Sequence, residues 1–115
     1  MTDREMLEFA AKAAGIKVPT KEDYPYAYID EHGIHRDISY GGDGSRMSHW
    51  SPLVSDGDAF RLAVKLQLQM DLRHSLNEVA VFSARRFDEG VRGDHLAATR
   101  RAIVRAAAEI GRSMT

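Results

Sequence analysis

The arginines of the second half are the residues whose type and clustering most clearly indicate binding chemistry. A planar guanidinium group is always charged, and it matches the geometry of phosphate and carboxylate groups. The arginines that could share one anion are Arg85, Arg86, Arg92, Arg101 and Arg105. Two interpretations stay open: an anion-binding surface, or a solvated helix face whose charges partly pair with acidic residues of the first half.

Charge is segregated along the 115-residue chain although the net charge is only −1. Residues 1–60 carry six Lys and Arg against eleven Asp and Glu, and residues 61–115 carry ten against six, so the halves hold −5 and +4. This segregation fits two halves that complement each other within the fold or across a homodimer, and it also fits a basic surface for a phosphate-bearing partner. A pI near 6.5 and the lack of a nucleic-acid-binding motif argue against duplex nucleic acid.

Aromatic side chains form a second candidate site, for a protein partner. His49 and Trp50 directly follow the glycine-rich stretch "GGDGSRMS", which matches neither common phosphate-loop pattern and is interpreted as a connector. The indole of Trp50 either anchors a hairpin to the next helix or forms a stacking platform for a base or a hot spot for a partner. The predicted contact residues are His49, Trp50, Tyr26, Tyr28 and Tyr40.

No residue pattern predicts an enzyme, a metal site or a cofactor. The chain has no cysteine, and its five histidines are scattered without the spacing of a zinc motif. No G-x-S-x-G elbow is present for a serine nucleophile. Asp56 and Asp58 in "SDGD" lack the further oxygens of a calcium loop, so they are interpreted as the start of a helix.

Capping signals predict three helices. The stretch "TDRE" is a capping box, in which the Thr2 hydroxyl accepts from the Glu5 amide while the Glu5 carboxylate accepts from the Thr2 amide. Ser55 or Asp56 can cap the second helix, and Asp94 can cap the third. The predicted helix ends are the glycines Gly15 and Gly111.

Strand patterns between the helices predict two hairpins. The segments "YAYID" and "IHRDISY" flank the turn "EHG", and the segments "MDLRHS" and "EVAVFSA" form a second pair, whereas residues 83–93 are predicted to be a charged loop. The predicted fold class is α+β: one domain over residues 1–115, with an antiparallel sheet of about four strands packed with three helices. It becomes an α/β/α sandwich if both faces of the sheet are covered.

The last helix also carries a narrow apolar seam that could join two copies of the chain. Its members are spaced alternately three and four residues apart, at Leu96, Thr99, Ile103, Ala106 and Ile110. No apolar run reaches the roughly 20 residues needed to span a bilayer, and the N-terminus does not resemble a signal peptide. We therefore expect a cytoplasmic protein with no membrane partner.

Three stretches of the chain resemble those of a known group. The opening "MTDREMLEFAAKAAGI", the W-x-P-L…D-G-D-A block and the closing "RRAIVRAAAEIG" resemble small proteins of tailed bacteriophages and prophages, and the layout is similar to that of the phage ABA-sandwich domain family. The resemblance implies an accessory protein, without catalytic residues, in the cytoplasm of the host cell. Such a protein would bind and interfere with a host or defence-system protein, which is a counter-defence role.

Two other functions stay open at this point. The arginines could make the protein an oligomeric sequestering protein for a nucleotide-like signalling anion. Alternatively, the seam of the last helix could make it a structural or regulatory homo-oligomer without a ligand.

Overall fold

The computed structural model describes residues 1–17, 28–37, 47–75, 77–83 and 85–114, which form an α+β fold. The helices are α1 (Asp3–Ala14), α2 (Asp56–Lys65) and α3 (His95–Ser113). The strands are β1 (Tyr28–Asp30), β2 (Gly33–Asp37), β3 (Met47–Trp50), β4 (Gln69–Ser75), β5 (Glu78–Phe82) and β6 (Arg86–Gly90). In the part of the chain so described, no helix is long and apolar enough to cross a membrane.

All three predicted helix starts are confirmed. At α1 the Glu5 amide donates to the Thr2 hydroxyl at 3.1 Å, and the Thr2 amide donates to the Glu5 carboxylate at 3.4 Å. Ser55 and Asp94 each accept from the backbone amide three residues further on, at 3.2 Å and 2.9 Å. These contacts satisfy amides that the helix itself leaves without a partner.

The aspartates of "SDGD" have structural partners, as the helix-start interpretation requires. The Asp58 carboxylate accepts from the Ser51 amide at 2.9 Å and from the Arg61 guanidinium at 2.7 Å. Asp56 accepts from Arg100 of α3 at 2.5 Å. Both carboxylates therefore fasten α2 to its surroundings.

One of the two predicted helix ends is wrong. Gly15 ends α1 in the left-handed conformation, with φ of 74°, but α3 continues through Gly111 to Ser113. Gly111 is buried where α3 crosses α1, and a Cβ atom there would collide with the carbonyl oxygen of Phe9. This glycine serves the close approach of two helices and does not cap one.

The strands form two antiparallel sheets of three strands each, instead of one sheet of about four. The first sheet has the order β1-β2-β3 and the second sheet the order β4-β5-β6. The predicted hairpins correspond to the β1–β2 and β4–β5 pairs. Strand β6 lies in the stretch that was predicted to be a loop. Its charged residues have weak strand propensity, but pairing with β5 outweighs that propensity.

The core joins the second sheet to the helices. Val79 and Val81 of β5 and Phe87 of β6 are buried against α3. Small alanines fill the contact between α1 and α3, which permits the two backbones to lie close together. The positions of the charged residues on α3 and β6 are thus fixed by a packed interior.

Successive residues of each strand in the first sheet lie on opposite faces of the sheet. Ile29, Ile34 and Trp50 are register partners, and they pack towards the core. The next row, on the opposite face, consists of Tyr28, His35 and His49.

Candidate functional site

Arginines from α3 and from the turn before β6 line one cleft, of about 390 Å³. We call it the arginine cleft. Its charged lining residues are Arg85, Glu89, Arg101, Arg105, Glu109 and Arg112, and the remaining ones are Met1, Met6 and Phe87. The arginines on α3 recur at positions 101, 105 and 112, and this spacing places them on the side of the helix that faces β6.

Two of these arginines are held firmly by acceptors. Arg105 donates to the Glu89 carboxylate at 2.6 Å and to the Asp88 carbonyl oxygen at 2.7 Å. Arg101 donates to Asp3 at 3.1 Å, and its Nε lies 3.7 Å from the other oxygen of Glu89. Glu89 is therefore shared between two guanidinium groups, whose positions it fixes.

The other two arginines have looser charge contacts. Arg85 and Arg112 lie 3.8 Å and 3.9 Å from the same oxygen of Glu109, which is beyond hydrogen-bond distance. Their side chains are 63% and 61% exposed. The guanidinium of Arg85 stands 4.5 Å from the ring centre of buried Phe87, a cation–π contact. These two side chains can reorient towards a ligand at small cost.

The structure brings together three of the five arginines predicted from the sequence. Arg85, Arg101 and Arg105 line the arginine cleft. Arg86 lies outside that lining and pairs with Asp88 at 3.1 Å. Arg92 lines an adjacent depression, which it shares with Arg101.

The predicted anion-binding residues differ from the cleft in one arginine and in part of the pairing. Arg112 belongs to the cleft but was not among those residues, although its spacing from Arg101 and Arg105 places it on the same side of the last helix. Arg101 does pair with the acidic first half of the chain, through Asp3. Three other arginines pair instead with acidic residues of the second half: Arg105 with Glu89, Arg86 with Asp88 and Arg85 with Glu109.

The aromatic residues predicted to bind a partner are only partly on one surface. Tyr28 is 52% exposed, and His49 on the same face is also exposed. Trp50 is half-buried and packs against the core from the opposite face, in agreement with the anchoring interpretation of its indole. Tyr26 and Tyr40 lie outside the described residues.

Tyr28 and His49 flank a hydrogen-bonded cluster. The Tyr28 ring stacks on His35 with centroids 4.5 Å apart, and His35 Nε2 lies 3.0 Å from the Asp30 carboxylate. Burial alone would raise the pKa of Asp30, but hydrogen bonds from His35 and from the His32 amide outweigh it, so the pKa is lowered from 3.8. Asp30 is therefore an ionised acceptor at neutral pH.

The predicted seam of α3 divides between the interior and the surface. Ile103 and Ala106 are buried in the core, and Leu96 is 60% exposed. Leu96 lies beside Phe60 and Leu72 in a shallow apolar groove of about 260 Å³. The inner part of the seam therefore packs within the protomer.

Comparison with known proteins gives no further guide to the chemistry. No protein-family model, no curated protein and no solved structure matches the chain. The geometry of the described residues therefore has to indicate the function.

Proposed function

We propose that the protein is a non-enzymatic binding protein whose arginine cleft takes a small anion with several phosphate or carboxylate charges. The observation that carries the proposal is the lining of the cleft, where four arginines stand against two glutamates and leave an excess of two positive charges. A nucleotide-like signalling anion belongs to this class of ligand. Such a ligand would compete with Glu109 for Arg85 and Arg112.

The four arginines would have different tasks. Arg101 and Arg105 are already oriented by Glu89, so their charges are in place before a ligand arrives. Arg85 and Arg112 are exposed and would close on the ligand with forked hydrogen bonds. A ligand with one negative charge would gain little over Glu109, which favours ligands with two or more.

Isothermal titration with pyrophosphate, ATP, citrate and acetate tests this proposal. We expect the multiply charged anions to bind and acetate to show no saturation, with affinity falling as salt is added because salt screens exposed charges. The double variant Arg85→Gln/Arg112→Gln should weaken binding at least about tenfold, since it removes two charge-assisted contacts.

The matched control is Arg61→Gln on α2. Arg61 is 73% exposed and pairs with Asp58, outside the lining of the cleft. Equal weakening by the control would mean that the anion senses only overall charge, and no saturable binding of any multiply charged anion would contradict the proposal.

A second proposal follows from the resemblance to phage and prophage proteins: interference with a host or defence-system protein. The exposed Tyr28 ring, oriented by stacking on His35, favours it, because rigid exposed aromatic rings are frequent hot spots. Tyr28→Ala should abolish binding of a purified target while the melting temperature changes little. Retained binding by that variant would remove Tyr28 from the contact surface.

A further inference from the structure

The first sheet presents two histidines whose Nδ1 atoms point at each other. His35 on β2 and His49 on β3 are direct partners in the strand register, and their Nδ1 atoms lie 2.6 Å apart. A neutral imidazole has one protonated nitrogen and one lone pair. At this distance one Nδ1 must donate and the other accept, so a single proton lies between the two rings.

Asp30 determines which of the two rings accepts. Its carboxylate accepts from His35 Nε2 at 3.0 Å and from the His32 amide at 2.8 Å. In the neutral ring, a proton on Nε2 leaves the lone pair of His35 on Nδ1, directed at His49. His35 is only 8% exposed, so this orientation is held by its surroundings.

A carboxylate that accepts from one histidine nitrogen while the other nitrogen carries a lone pair is the usual support of a metal-ligating histidine. We propose that His35 and His49 bind a divalent transition-metal ion of the zinc, nickel or copper class through their Nδ1 atoms, with Asp30 as a positioning residue. The metal takes the place of the shared proton. His49 then carries its proton on Nε2.

The geometry requires a small adjustment. Tetrahedral coordination with bonds of about 2.0–2.1 Å places two ligand nitrogens roughly 3.3 Å apart, so the rings must separate by less than about 1 Å. Exposed His49 can move by this amount while Asp30 keeps His35 in place. Imidazole nitrogens select zinc, nickel and copper over magnesium and calcium.

The site has open coordination positions. Within the described ranges, no three histidine or acidic side chains are grouped to hold a metal, so water or a ligand from a docked molecule completes the sphere. No local sequence pattern indicated the pair, because its members are 14 residues apart and meet only through strand register. The proposal departs here from the expectation of no metal site.

Titration calorimetry with ZnCl₂, NiCl₂ and MgCl₂ tests the proposal on tag-free protein treated with a chelator and dialysed. We expect one saturable zinc or nickel site per chain and none for magnesium. His49→Ala should weaken zinc binding at least about tenfold, and His32→Ala is the matched control, since His32 is exposed and paired with Glu31.

Two further readouts separate a metal site from a merely structural cluster. Asp30→Asn should weaken zinc binding by roughly 10–100-fold at unchanged stoichiometry, and zinc should shift the Nδ1 resonances of both rings in nitrogen NMR spectra. The variant His35→Ala tests the zinc site only if its circular dichroism spectrum shows a folded protein, because His35 is buried. Zinc binding that His49→Ala leaves unchanged, or the absence of saturation at millimolar zinc, would overturn the proposal.

Discussion

Glu89 is the residue on which the charge balance of the arginine cleft depends. Its two carboxylate oxygens face Arg101 and Arg105, at 3.7 Å and 2.6 Å, and its side chain is only 22% exposed. One acidic residue thus restrains two cations that would otherwise repel each other. The same carboxylate lowers the positive potential that an anionic ligand meets. Glu89 therefore increases the stability of the protein and decreases the affinity of the cleft for anions.

The substitution Glu89→Gln should therefore change stability and binding in opposite senses. Loss of the shared carboxylate should lower the free energy of unfolding by about 1 kcal/mol. The excess positive charge of the cleft rises from two to three, and we expect pyrophosphate to bind several-fold more tightly. Urea denaturation and calorimetry measure the two effects, and weaker pyrophosphate binding by a folded Glu89→Gln protein would contradict the prediction.

The contact between α1 and α3 is the element on which the fold depends most visibly. Gly111 of α3 lies where any side chain would meet the backbone of Phe9, and buried alanines line the same contact. A packed interior of this kind does not accept an added carbon without moving. The arginines of α3 are positioned by that contact, so the cleft depends on it.

The substitution Gly111→Ala should destabilise the protein by roughly 1–3 kcal/mol through overpacking, in spite of the higher helix propensity of alanine. The control is Gly57→Ala in α2, where the nearest atoms belong to the flexible Arg61 side chain. We expect the control to be neutral or stabilising in thermal denaturation. A Gly111→Ala protein as stable as the control would show that the two helices can separate at little cost.

Sequence reasoning predicted the elements whose signals are local. Thr2, Ser55 and Asp94 start helices because a capping side chain acts within its own first turn. Strands β3 and β6 were missed, since short or charged strands acquire their structure from a partner strand. The prediction of a helix end at Gly111 was wrong because, in the sequence, a glycine that caps a helix looks the same as one that lets two helices approach closely.

Residues of the candidate sites were likewise predicted only where their signal was local in the sequence. Clustering of arginines along the chain indicated Arg85, Arg101 and Arg105, which do meet. Glu89 was not predicted, because its contacts with Arg101 and Arg105 are made by packing β6 against α3. Glu109 meets Arg85 through the same packing, whereas its contact with Arg112 lies within α3. The His35–His49 pair depends wholly on strand register and had no local signal.

At the scale of the whole molecule, α3 contributes to both the interior and the surface. Ile103 is 3% exposed in the core, whereas Leu96, two turns earlier, is 60% exposed in the apolar groove. A test of self-association must therefore act on Leu96, because a change at Ile103 acts on the protomer first.

Ile103→Asp should unfold the chain, since burying an unpaired carboxylate and losing a core side chain together cost more than about 4 kcal/mol. Leu96→Asp should leave the fold intact. Native mass spectrometry of the wild type and of Leu96→Asp then reports the number of chains per particle together with any retained small molecule. Dissociation of a wild-type oligomer by Leu96→Asp would assign the groove to an interface, and a folded Ile103→Asp protein would contradict the placement of Ile103.

Trp50 gives the molecule an internal optical reporter. It is the single tryptophan of the chain, it belongs to the first sheet, and its indole packs against a core built mainly by the second sheet and the helices. Its emission spectrum therefore senses the attachment of one sheet to the rest of the molecule, while far-ultraviolet circular dichroism is dominated by the helices. Coincident unfolding curves from the two signals would describe a single cooperative unit, and an earlier red shift of the fluorescence would describe a first sheet that detaches while the helices persist.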